Sequence, residues 1–170
     1  MLFLTLPAMI IALVPVIAVE SIVVGRLLGT TAISKAKSVA IANVASTLIG
    51  LPLTWVALVA VQLVSGGGSA YGLVTPTQKL LAVTWQAPWL IPYEGDLYWM
   101  VPAASLFLLV PFFFASYFVE ALIVVGLNNK LPRVQVRSAV FRANIVSYLL
   151  LAIFTLGWLV LAVLHGPRGG

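Results

Sequence analysis

WMVPAASLFLLVPFFFASYFVEALIVVGL, residues 99–127, holds a single charged side chain, Glu120. A helix that crosses a bilayer needs about 20 mostly apolar residues, and this stretch exceeds that. Three other stretches read the same way. Residues 1–28 are interrupted only by Glu20 and Arg26, residues 39–64 carry no charge, and residues 139–164 carry only Arg142, in the first turn. The whole chain agrees: 62% of its residues are apolar and 8% are charged, against about a quarter charged in a soluble domain. The expected fold is an all-α integral membrane protein, one membrane domain over residues 1–170 with four transmembrane helices.

Composition also excludes several chemistries. There is no cysteine and one histidine, His165, so disulfides are impossible and haem, zinc or di-iron sites lack their usual ligands. No metal or other cofactor is expected. Gly66, Gly67 and Gly68 precede no Lys-Ser/Thr pair, so they form a linker and not a phosphate loop. The net charge of +5 comes from only nine basic residues, and their placement follows topology. Nucleic-acid binding is not expected.

Residues 65–98 differ from the spans. After the Ser65–Ser69 linker comes Thr75-Pro76-Thr77-Gln78, a helix start with Thr at the cap, Pro at the first position and Gln at the third. Pro88 and Pro92 close the helix that begins there. Leu81, Trp85 and Trp89 share one face, which predicts a short interfacial helix over 80–89 in this outer loop. Trp85, Trp89, Tyr93, Tyr98 and Trp99 would anchor it at the membrane surface.

Arg26, Lys35 and Lys37 flank one short loop, and Lys130, Arg133, Arg137 and Arg142 flank another. Lys79, Arg168, Glu94 and Asp96 lie on the opposite side. Basic residues concentrate in cytoplasmic loops. The protein is therefore expected in the cell (inner or plasma) membrane, with loops 29–38 and 128–138 in the cytoplasm and both termini and loop 65–98 outside. An outside N-terminus that begins apolar implies either tail-first insertion or a signal peptide removed upstream. Pro7 and Pro15 leave a re-entrant first segment as an alternative.

The two halves match in order. Val14-Pro15, Val19-Glu20, Lys37-Ser38 and Ala42-Asn43-Val44-Ala45-Ser46 are followed by Val110-Pro111, Val119-Glu120, Arg137-Ser138 and Ala143-Asn144-Ile145-Val146-Ser147. Repeat 1 would cover about 1–64 and repeat 2 about 99–165. Each would be a helix hairpin, the two related by an axis along the membrane normal. Arg142 has no partner in this match, because Ile41 stands at its place.

A carboxyl group facing lipid costs several kcal/mol, so Glu20 and Glu120 should turn inward and find partners. The candidate polar site is Glu20, Asn43, Ser46, Glu120, Arg142, Asn144 and Ser147, with Arg142 an alternative partner for Glu120. Ala42, Ser46 and Gly50 form a small-residue row for helix packing. Three functions remain. The first is a non-enzymatic accessory or scaffold subunit, whose partners are the lipid bilayer and further membrane subunits or a second copy. The second is a small proton- or cation-coupled transporter or channel using Glu20 and Glu120. The third is a membrane-embedded lipid-modifying enzyme. No catalytic motif is found, so an enzyme is not expected.

The absence of native cysteine makes topology directly measurable. With Gly67→Cys, a membrane-impermeant maleimide should label intact cells. With Lys130→Cys, it should label only after the membrane is opened. The reverse pattern would overturn the orientation.

Overall fold

The computed structural model describes residues 2–66, 74–79 and 97–166. Those residues form four long helices: α1 (Leu2–Leu27), α2 (Ala32–Gly66), α3 (Leu97–Leu127) and α4 (Arg133–His165). All four contain windows long and apolar enough to cross a membrane. At 1.5 Å per residue α2 and α4 are ~50 Å long, well beyond the ~30 Å hydrocarbon thickness, so they tilt or project past it. α1 continues unbroken through Pro15, so the first segment is a full helix and not a re-entrant element. Pro52 lies inside α2, and Pro102 and Pro111 lie inside α3.

The helices pack as a ring. α1 packs on α2, α2 on α3, α3 on α4, and α4 closes back onto α1. The two short turns, α1–α2 and α3–α4, lie at the same end of the bundle.

Both turns are shorter than the sequence implies. Loop 29–38 was expected, yet α2 begins at Ala32 and carries Lys35 and Lys37 in its first turns. Loop 128–138 was expected, yet α4 begins at Arg133. The physical reason is that backbone hydrogen bonding is indifferent to side-chain charge. Long basic side chains extend to water from a helix that continues past the apolar region.

The first turn is set by glycines. Gly29 takes the left-handed conformation, φ 65°. Its N–H donates to the Arg26 carbonyl at 3.3 Å and the Thr30 N–H donates to the Gly25 carbonyl at 2.8 Å, the paired bonds that end a helix. Thr31 then caps α2, its hydroxyl accepting from the Ser34 N–H at 3.3 Å. Gly25 lies against the start of α2, where a Cβ would sit 2.9 Å from the Ala32 nitrogen. The second turn uses Asn128, whose side chain donates to the Val124 carbonyl at 2.8 Å. Lys35 Nζ donates to Asn128 Oδ1 at 2.6 Å and so joins the two turns.

Small apolar side chains fill the turn end. Val24, Val39 and Ala143 form one buried cluster, and Ala42, Ala121, Val124, Val136 and Val140 another. At the far end Met100 and Ala104 are buried beside Trp99 and Val101.

Near that far end, Thr75 and Gln78 cap each other. The Gln78 N–H donates to Thr75 Oγ1 at 3.2 Å, and the Thr75 N–H donates to Gln78 Oε1 at 3.1 Å. One helical turn follows over 76–79. The interfacial helix expected over 80–89 lies outside the described residues, as do Trp85, Trp89 and Tyr93. Tyr98 and Trp99 are half-buried in the first turn of α3.

Gly25→Val should push α2 off α1 and cost about 1–3 kcal/mol, the usual range for overpacking a tight contact. A wild-type unfolding midpoint in detergent would contradict that close approach.

Candidate functional site

Glu20 and Glu120 each sit seven residues before the last residue of their helix (27 − 20 and 127 − 120). Both are 2% exposed. On α2, Asn43 and Ser46 are three residues apart, and on α4 Asn144 and Ser147 are likewise three apart. That spacing puts each pair on one helix face but turns its members toward different neighbours.

The asparagines serve their own hairpin. Asn43 Nδ2 donates to Glu20 Oε2 at 2.7 Å, and Asn144 Nδ2 donates to Glu120 Oε2 at 2.7 Å. The second proton of each amide goes to the helix backbone, at Val39 and Val140. The serines serve the other hairpin. Ser46 Oγ donates to Glu120 Oε1 at 2.9 Å, and Ser147 Oγ donates to Glu20 Oε1 at 2.6 Å. Every neighbouring helix pair in the ring therefore shares one side-chain hydrogen bond to a carboxyl group. The two carboxyl groups also lie close enough to interact with each other.

Six of the seven sequence-derived site residues meet in this layer. Arg142 does not. It is exposed on α4, and the partners of Glu120 are Asn144, Ser46 and Glu20. Asn144 Oδ1 and Ser21 Oγ are buried with no hydrogen-bond partner among the described residues. No group of three His, Cys, Asp or Glu residues suited to a metal occurs among them either.

The small-residue row divides by depth. Ala42 is fully buried in the apolar cluster at the turn end, and Ser46 joins the polar layer. Gly50 faces open space, with nothing within 4 Å of the position a Cβ would take.

That space is a cavity of about 180 Å³ bordered by all four helices. Asn43, Ser46, Glu120 and Tyr148 border its inner end, and its lining runs away from the turns to Ser105 on α3 and Trp158 on α4. Its walls are mostly apolar. On the turn side of the polar layer, the valine and alanine clusters fill the bundle.

No known family, curated protein or solved structure matches this chain.

Sequence reasoning missed Tyr148 and Ser116. Their hydroxyls lie 2.9 Å apart, and both side chains border the cavity beside Glu120. The ring of Tyr148 also meets Phe113 edge-on at 5.4 Å, which fixes it between α3 and α4. A signal existed: Ser116 lies four residues before Glu120, hence on the same helix face. Matching the two halves hid it, because Val16 and Thr47 stand where Ser116 and Tyr148 would be.

Removing one crossed bond, with Ser46→Ala or Ser147→Ala, should cost about 0.6–2 kcal/mol, the range for such bonds in membranes. The two losses should be non-additive, since the groups share one network. Arg142→Gln should leave stability unchanged. Equilibrium unfolding of the four variants checks this, and strict additivity of the serine pair would break the closed circuit.

Proposed function

We propose that the protein is a small membrane carrier for protons or cations, with Glu20 and Glu120 as its binding groups. The observation that carries the reading is the cavity that ends on Glu120, with Glu20 close to it and packed apolar side chains on the other side. A site reached from one side and blocked on the other is what alternating access requires. Two buried carboxyl groups with no ion-pair partner among the described residues favour a proton or cation.

The chain is proposed to be an internal repeat of two hairpins with parallel orientation. Buried positions support this when Glu20 is set on Glu120 and Asn43 on Asn144. Val24 then falls on Val124, Val39 on Val140, Ala42 on Ala143, Ser46 on Ser147 and Thr54 on Thr155, and all ten are buried. The axis would pass between the two carboxyl groups. With the basic turn end in the cytoplasm, the cavity would open toward the outside of the cell.

A second reading, the accessory or scaffold subunit, is favoured by a different observation. Each amide and hydroxyl proton in the polar layer already has an acceptor, as a purely structural lock would. The lipid-facing surface of exposed Ile, Leu and Phe residues would then meet other membrane subunits or a second copy.

Reconstitution into liposomes with an internal pH-sensitive dye separates the two. A carrier gives proton flux above that of empty liposomes, and Glu120→Gln lowers it about tenfold or more, as expected when an essential proton-relay group is lost. Proton flux and uptake of labelled cations both equal to those of empty liposomes, from protein that is folded, would leave the scaffold reading.

A further inference from the structure

We infer that the cavity binds a small organic cation with an apolar body, its charged head against Glu120. The inference rests on the proposed role of Glu120 but adds the chemical class of the ligand.

Charge comes first. Among the described residues, Glu120 is the one acidic side chain bordering the cavity, and no Lys, Arg or His borders it. Asn43 also borders it, and both protons of its amide are already committed to Glu20 and the Val39 carbonyl. What Asn43 can offer there is its oxygen. Ser116 and Tyr148 share one hydrogen bond there, which leaves one hydroxyl proton between them; the rest of the inner end is a carboxyl group and an amide oxygen, which suit a cationic head, and no basic side chain among the described residues is placed to hold an anion. A plain acyl chain would bring neither a donor nor a positive charge to this end.

Shape comes second. The walls are Leu, Phe and Trp side chains, Phe112, Phe154 and Trp158 among them, and Tyr148 stands beside Glu120. The Tyr148 ring can attract the cationic head through its face, and the rings farther out pack against the apolar body. An apolar cavity of about 150 Å³ holds benzene, so 180 Å³ suits a single ring bearing a compact charged head.

Benzyltrimethylammonium is the matching probe. Neopentylbenzene is its neutral isostere, and phenylacetate supplies an anion of similar size. Equilibrium dialysis of radiolabelled benzyltrimethylammonium against the full chain in lipid nanodiscs should show saturable binding absent from empty nanodiscs. Neopentylbenzene should compete about tenfold or more weakly, a difference equal to one desolvated charge contact, and phenylacetate should not compete. Glu120→Gln should abolish binding. Gly50→Leu gives a second variant that leaves the polar layer intact and fills the cavity, and it too should abolish binding. Competition by neopentylbenzene equal to that of the cation would overturn the inference, and so would wild-type binding by the Gly50→Leu protein or no saturable binding at all. These outcomes are independent of the liposome flux. Proton flux without cation binding would sink this inference and spare the carrier, and Glu120-dependent binding without flux would do the opposite.

Discussion

Four hydrogen bonds to two carboxyl groups hold this bundle in register. In water, a helix is oriented by its apolar stripe, which turns toward the core. Here lipid is as apolar as leucine, so burying a stripe supplies no comparable drive. The rotation of each helix must come from its polar atoms. Glu20 fixes α1 against α2 and α4, and Glu120 fixes α3 against α4 and α2. Turning any one helix breaks two bonds at once and leaves a carboxyl group short of partners.

The polar layer also divides the bundle into unlike halves. Toward the turns, the side chains on the inner face are Val and Ala, small enough for the helices to close on one another, and short turns with a Lys35–Asn128 bond hold that end together. Away from the turns, Gly50 offers no side chain and the space stays open. The two hairpins contribute unequally to that space. Ser116 and Tyr148 make the α3–α4 side polar where Val16 and Thr47 face it from α1 and α2. The proposed axis between the hairpins would therefore be broken at the cavity, which Glu120 borders and Glu20 does not.

Much of this was legible in the residues. Long apolar runs gave the four helices, because only a helix satisfies its own backbone in lipid. The order Glu, Asn, Ser in each half gave the members of the polar layer. Three things were not legible. The starts of α2 at Ala32 and of α4 at Arg133 are one, since hydropathy marks where side chains change and not where backbone bonding ends. The crossed pairing, Ser46 with Glu120 and Ser147 with Glu20, depends on how two hairpins face each other across a separation of 74 or more residues. No local spacing encodes that. The cavity is an absence of atoms between helices, and a sequence carries no direct mark of it.

The two classes of bond in the ring have different mechanical consequences. Asparagine links α1 to α2 and α3 to α4, within each hairpin, and each amide is braced by a second bond to its own helix. Serine links one hairpin to the other, through a hydroxyl with one proton and two acceptors in reach, the carboxyl oxygen and the backbone carbonyl three residues earlier. The serine can turn its one proton from the carboxyl group to the carbonyl, whereas the asparagine already uses its other proton on a carbonyl and would leave the first without an acceptor. If the hairpins move as bodies, the seam that opens is the serine pair, with each Glu–Asn bond kept intact. On the carrier reading, a cation arriving at Glu120 competes with Ser46 for the same carboxyl group and so acts directly on that seam. The bond that would have to yield for transport is thus the one whose loss the chain can best absorb.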